Sequence, residues 1–320
     1  MPLPRRLTEI QERRRAVLAL LAGAAMIAGA AVGASHGAPE SAKRVRGLRI
    51  AGVPDVPRAP AALPRGGRRL FPNFRVVAYY GAPQAAQLGT LGIGTPAQAG
   101  RRLLRTAAQY ARRTRPVLPA MELLAAIANP YPGADAMYRT RQPDAVIARY
   151  LRAARRIHAL LVLDIQPGHA DFLSETERLA RWLREPDVGI ALDPEWHTPG
   201  QIPGKVIGSV GAAEINAVSR YVAGIVRARR LPQKLFVVHQ FTASMIVDKQ
   251  LVKHRPGLAI TMNIDGFGTP SAKVGKYEEF MRDGTRFDQG FKVFFHEDTH
   301  MLSPREVLQL QPPPDLVVYE

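Results

Sequence analysis

The chain has no cysteine in 320 residues. That absence excludes disulfides, thiolate metal sites, a cysteine nucleophile and a lipid-modified cysteine anchor. Several catalytic signatures are missing too. No glycine-rich phosphate loop follows the first apolar run, no serine stands in a nucleophile elbow, and neither a His-x-His on that run nor a helical zinc motif occurs. Gly92, Gly94 and Thr95 precede a helix, but no Lys-Ser/Thr pair follows, so they read as a loop and a cap. Acids are scarce beside bases, 27 against 44, for a formal charge of +17. The excess is concentrated early: residues 1–75 carry 14 Lys and Arg against 4 Asp and Glu, and the remainder 30 against 23. The later arginines are spread along helical segments as solvated faces, so no nucleic-acid partner is expected.

What is present begins with an export layout. Arg5, Arg6, Arg13, Arg14 and Arg15 precede an uncharged Ala/Gly/Leu-rich run that ends near residue 34, giving a signal peptide or a retained membrane anchor over residues 1–34. Residues 35–73 are rich in proline and arginine without periodicity, the composition of an extended linker. The bulk is therefore expected outside the cytoplasm, in the cell envelope or beyond it, touching membrane only through the N-terminal segment.

From residue 74 onward, short apolar runs alternate with helical stretches. The runs are 75–80, 117–120, 160–164, 188–192, 235–239, 258–265, 291–296 and 316–319. Helix starts are marked by Thr95-Pro96 and by capping boxes at Ser174 to Glu177 and Ser303 to Glu306, with further helices over about 143–158, 212–229 and 271–282. Eight strands with helices between them, in about 245 residues, are the pattern of a (β/α)8 TIM-like barrel over residues 74–320. An open doubly wound sheet is the alternative. The stretch MELLAAIAN after the second run also suits a helix, and the chain stops directly after the eighth strand, without a closing helix. Part of the proline-rich segment is the candidate to cover that gap.

In such a barrel the strand ends build the site. Here they carry Tyr79 and Tyr80, Glu122, Asp164 and Gln166, Asp193, Glu195, Trp196 and His197, His239 and Gln240, Asp265, His296, Glu297 and Asp298, and Tyr319 with Glu320. Asp298 and Glu320 read as ordinary helix-start or surface acids. Side chains alternate along an extended segment, so Asp193 and Glu195 are expected to point the same way, roughly 6.6 Å apart at Cα. Acids clustered with aromatic rings and amides suit sugar recognition, and glycosidic cleavage needs one protonated and one ionised carboxyl. Glu195 is the candidate proton donor, with Asp193 or Glu297 as its partner. Tyr79, Tyr80, Glu122, Asp164, Gln166, Trp196, His239, Gln240 and Asp265 are candidate substrate contacts. The expected partner is a carbohydrate or cell-wall polymer bound by a monomer, with no cofactor and no resident metal.

The Asp193-x-Glu195 pair resembles the end of the strand-four signature of chitinase-like and lysozyme-like barrel glycosidases. Val188 and Ala191 stand where the chitinase pattern has acids, Tyr79 and Tyr80 where the lysozyme-like family has an aspartate, and Pro194 where strand-four/strand-seven glycosidases place asparagine. Over nearly the whole exported part, LVLDIQPGHADF, EPDVGIALDPEW, IGSVGAAEIN, LPQKLFVVHQF and NIDGFGTP resemble an uncharacterised family of secreted or lipid-anchored actinobacterial proteins. That resemblance implies export and a glycosidase-related barrel, and it supplies no substrate. Two other functions compete. A non-catalytic carbohydrate-binding protein would keep the mouth without the chemistry, and a metal-dependent hydrolase would draw ligands from His239, Asp265, His296, Glu297, Asp298 and His300.

Overall fold

The computed structural model describes residues 61–281 and 286–320, so the expected export segment lies outside the described residues. Eight parallel strands close on themselves: β1 (Arg75–Gly81), β2 (Val117–Ala128), β3 (Leu160–Ile165), β4 (Val188–Leu192), β5 (Lys234–Gln240), β6 (Leu258–Ile264), β7 (Asp288–Val293) and β8 (Leu316–Tyr319). Each pairs with its sequence neighbour, and β8 returns to β1 through Val76↔Leu316 to Tyr79↔Tyr319. The closed sheet is the expected (β/α)8 barrel.

All eight apolar runs form strands, with two changes of extent. β2 continues through MELLAAIA and is buried along its whole length. Those residues favour a helix in isolation, but pairing with β1 on one side and β3 on the other outweighs propensity. The far end of β2 also pairs antiparallel with Arg139–Arg141. β7 is shifted toward the N-terminus of its apolar run, so Phe294, Phe295 and His296 belong to the following turn.

The helices follow the expected starts closely. α1 (Pro96–Ala108) begins at a capping box between Thr95 and Gln98, α2 spans Asp144–Arg156, α5 spans Ala212–Arg229, α6 spans Pro270–Met281, and α7 (Pro304–Val307) begins at the Ser303–Glu306 capping box. α3 (Phe172–Arg178) is the exception: its cap is Asp171, whose carboxylate accepts from Ser174 N at 2.8 Å, and Ser174 sits inside the first turn. α4 (Ala180–Leu183) follows it. Glu175 in α3 is buried and paired with Arg139 (2.8 Å) and Arg141 (2.6 Å), which ties the β2 hairpin to the helix layer. Between β5 and β6 stand short 3-10 turns and a two-residue strand, Ile246–Val247, paired parallel with Val210–Gly211.

Side chains alternate between a lumen and a helix-facing layer. Val76, Ala78, Leu118, Ala120, Val162, Val237, Ala259 and Val318 fill the lumen, whereas Val77, Met121, Leu163, Ile190, Phe236 and Phe291 pack outward against the helices. Residues 61–73, expected as linker, belong to the barrel. Leu63, Leu70 and Phe71 are buried in the lumen cluster, Arg68 donates to the carbonyls of Arg230 and Leu231, and Gln233 Oε1 accepts from Leu70 N. This segment packs against the strand starts, where its apolar side chains complete the lumen. Beside the outer face of β8 stand aromatic rings: Tyr319 stacks on Phe295 at 5.2 Å and bonds Tyr110 through the hydroxyls at 2.6 Å.

Lys234 opens β5 on the outer layer, is 2% exposed and donates to the carbonyls of Glu185 and Val188. Burial lowers its pKa to about 7 from the usual 10.5. Above pH 7 the folded state releases this proton while the unfolded chain keeps it until about pH 10.5, so this residue makes stability rise with pH across that window. Urea midpoints at pH 7 and pH 9.5 should therefore diverge less in Lys234→Met than in the wild type. Equal pH dependence in the two proteins would contradict the assignment.

Candidate functional site

At the carboxyl ends of the strands, every strand contributes a polar side chain to the lumen: Tyr80 (β1), Glu122 (β2), Asp164 with Gln166 just beyond (β3), Asp193 (β4), His239 (β5), Asn263 with Asp265 just beyond (β6), Lys292 (β7) and Glu320 (β8). None is more than 9% exposed. Parity produces this ring. On β1, Ala78 and Tyr80 share the lumen face; on β5, Val237 and His239 do; on β8, Val318 and Glu320 do.

His239 is the hub. Its Nε2 lies 3.2 Å from Glu122 Oε1 and 3.4 Å from Asp164 Oδ2, and its Nδ1 lies 3.1 Å from Asp265 Oδ2. The Asn263 amide also approaches Nδ1, at 3.2 Å. Room for that amide comes from Gly290 on β7, where a Cβ would stand 2.5 Å from Asn263 Oδ1. Lys292 Nζ bridges Asp265 Oδ2 (3.0 Å) and Glu320 Oε2 (2.7 Å) and sits 3.9 Å above the Tyr80 ring. A second group joins Tyr80, Gln166 and Asp193: the Gln166 amide donates to Tyr80 Oη (3.0 Å) and to Asp193 Oδ2 (3.2 Å), and the Tyr80 hydroxyl donates to the same oxygen at 3.4 Å.

Burial and pairing divide the ionisation states. Burial opposes charge on His239, but hydrogen bonds to Asp164, Asp265 and Glu122 hold its pKa well above the ordinary value. Burial likewise opposes charge on Asp265, and Lys292 with His239 overcome it, holding the carboxyl far below the usual range. Asp164 is pushed up to about 8, chiefly by burial, with His239 pulling the other way. Burial also raises Asp193. Burial and the surrounding carboxylates raise the Tyr80 hydroxyl. Neutral and ionised carboxyls therefore coexist within one ring.

Above the ring, β4 ends at Leu192 and Pro194–Trp196 turns as a 3-10 helix. Pro194 at the first position ends the extended run, so the alternation expected to align Asp193 with Glu195 does not hold. Asp193 faces the lumen, and Glu195 sits half-buried on the turn above. Neighbouring loops hold that turn: Gly168 N donates to Trp196 O (3.0 Å) and Gly208 N to Glu195 O (2.7 Å). Only glycine fits at 208, where a Cβ would meet the carbonyls of His197 and Pro194 at 2.3 and 2.4 Å. Glu297 is half-buried in the turn after β7.

Of the sequence candidates, Tyr80, Glu122, Asp164, Gln166, Asp193, His239 and Asp265 meet in the ring. Glu195 and Glu297 stand on turns outside it, and three more lie elsewhere. Tyr79 points outward, bonding Thr106 at 2.7 Å and packing edge-on against Phe295. Gln240 falls on the opposite face of β5 from His239 and donates to Thr242 O. Trp196 is 6% exposed and packs into the lumen cluster, so its ring is no open stacking platform. Glu320, expected at the surface, is in the ring because Lys292 faces it.

Lys292 and Asn263 escaped the sequence reading, although a lysine inside FKVFF and an asparagine inside LAITMNI are polar interruptions of buried strands. Rim aromatics escaped as well. Tyr131 is 48% and Phe295 36% exposed, Phe241 and Phe267 are half-buried, and half-buried Tyr138 stacks on His169 at 4.1 Å, all on loops that follow strand ends. Among the described residues, His239 is the only sequence-level metal candidate in a close three-ligand group, whose other members are Glu122 and Asp164. Asp298 instead pairs with Lys273 at 2.6 Å.

No protein-family model matches the chain. No curated protein matches it either. Among solved structures, a 2,3-dimethylmalate lyase of the PEP mutase/isocitrate lyase superfamily aligns at 10% identity over 77% of this chain and 75% of that one, TM-score 0.41. An oxaloacetate acetylhydrolase in complex with oxalate aligns at 11% identity over the same shares, TM-score 0.42. A GH18 chitinase, ChiB of Flavobacterium johnsoniae, aligns at 8% identity over 77% of this chain and 87% of that one, TM-score 0.39.

Proposed function

We propose that this chain is an exported barrel enzyme that hydrolyses a cell-wall or environmental polysaccharide, with Glu195 as proton donor. The observation that carries the reading is the position of Glu195: a half-buried carboxyl on a turn held by loop hydrogen bonds, above a ring in which Asp193 is fixed by Tyr80 and Gln166. A donor must reach the glycosidic oxygen from the rim while a second group stabilises the sugar cation below, and this arrangement suits that division.

In the reaction, protonated Glu195 gives its proton to the leaving oxygen as the C1–O bond breaks. The developing positive charge at C1 is met either by Glu297 as nucleophile or by an acyl oxygen of the substrate that Asp193 orients. Water then attacks C1, breaking that new C1–O bond and releasing Glu297 or the acyl oxygen, and gives its proton to Glu195. Rim residues Tyr138, Phe241 and Phe267 offer faces for further sugar rings.

The ion pairs of Lys292, Asp265 and His239 favour a second reading, because they already satisfy much of the ring. In that case the barrel binds the polymer and leaves it intact. Purified full-length chain incubated with a panel of cell-wall and environmental polysaccharides separates the two. New reducing ends are the expected result; retention on a polymer without new ends would replace hydrolysis with binding.

A further inference from the structure

Glu122, Asp164 and His239 do more than line the mouth. They come from three strands, β2, β3 and β5, are at most 1% exposed, and each offers one ligand atom within 4.8 Å of the others. From these positions we infer that the floor of the barrel mouth binds a divalent first-row metal ion, with Glu122, Asp164 and His239 Nε2 as its ligands.

Geometry is the first support. Nε2 stands 3.2 Å from Glu122 Oε1 and 3.4 Å from Asp164 Oδ2. An ion about 2.1 Å from each atom would see those pairs under angles of about 100° and 108°, close to tetrahedral and compatible with a distorted octahedron.

An unsatisfied acceptor is the second. Asp164 is fully buried, and its Oδ1 has no hydrogen-bond partner among the described residues. A buried carboxylate oxygen in that condition is costly unless a cation or proton meets it. The ring as a whole is short of positive charge: five carboxyl groups (Glu122, Asp164, Asp193, Asp265 and Glu320) face two basic side chains, His239 and Lys292.

The third support is the far side of the imidazole. A metal-bound histidine donates its other ring N–H to an orienting carboxylate. Asp265 occupies that place, 3.1 Å from Nδ1, and is itself fixed by Lys292 and by the amide of Gly266. Nδ1–H therefore points at Asp265, and an ion that displaces the proton on Nε2 meets the lone pair left there. Two carboxylates with one imidazole suit Mn²⁺ or Zn²⁺ and lack the all-oxygen shell of a calcium site.

The site goes beyond the hydrolase reading and does not depend on it. The test is calorimetric titration of chelator-treated full-length chain with MnCl2 and, separately, ZnCl2, without substrate, alongside thermal melts and metal analysis of the protein as purified. One equivalent of Mn²⁺ or Zn²⁺ should bind and raise Tm. Asp164→Asn and Glu122→Gln should each abolish this binding, and Asp265→Asn, which changes the orienting partner and leaves every ligand in place, should weaken it about 10–100-fold. Glu195→Gln should bind the metal like wild type, which separates failure of the hydrolase reading from failure of this one. Circular dichroism confirms that each variant is folded, and two ligand variants guard against one failing to fold. No binding at millimolar Mn²⁺ or Zn²⁺ overturns the inference, as does unchanged binding in a folded Asp164→Asn or Glu122→Gln.

Discussion

Lys292→Met is expected to lower the stability of the barrel by about 4 kcal/mol, roughly a quarter or more of what a domain usually has. Lys292 is 2% exposed and holds Asp265 and Glu320 together from β7, with its ammonium over the Tyr80 ring. Methionine fills similar space but removes the ammonium between the buried carboxylates of Asp265 and Glu320, leaving His239 to face Asp265 alone, and both ion pairs of Lys292 are lost. Removing one partner of a buried charge network costs more than the network itself contributes, because the remaining charges stay desolvated. A fall of roughly 10 °C in Tm should accompany it in a domain of this size. A variant melting within a degree or two of wild type would mean that water reaches the ring and screens its acids.

Glu195→Gln should reduce polysaccharide cleavage by about 10³-fold while polymer binding stays near wild type. The amide keeps the shape and most hydrogen bonds of the carboxyl but cannot donate the required proton to the leaving oxygen. Stability should hardly change, because the turn is positioned by backbone bonds from Gly168 and Gly208. The same assay separates the two partner assignments. If Glu297→Gln falls as far as Glu195→Gln, Glu297 is the nucleophile; if it stays near wild type while Asp193→Asn falls, the substrate-assisted route holds. Undiminished cleavage by Glu195→Gln would remove it from the chemistry.

The strands were legible in the chain because a parallel barrel buries both faces of each, so apolar runs such as VGIAL and LFVV stand out. Caps were legible where a hydroxyl precedes proline, as at Thr95 and Ser303. β2 was ambiguous because MELLAAIA has helical propensity, and only its neighbours on both sides decide for strand. The ring was half legible. A polar residue after an apolar run marks a strand end, but which of two adjacent residues faces the lumen depends on parity, so Tyr79 and Tyr80 could not be separated locally. The same limit placed Gln240 with His239. Lys292 and Glu320 define each other across β7 and β8, a pairing no local pattern carries. Pro194 was the one local sign that Asp193 and Glu195 would part, because it favours a turn over continued extension.

The most direct test is a crystal structure of the Glu195→Gln protein with a bound oligosaccharide from a polymer it retains. A glycosidic oxygen within hydrogen-bond distance of residue 195, with the sugar on its reducing-carbon side lying over Asp193, Tyr80 and Gln166, is the predicted result. An oligosaccharide bound away from the strand-end ring, or lying across the rim with residue 195 out of reach of every glycosidic oxygen, would contradict it.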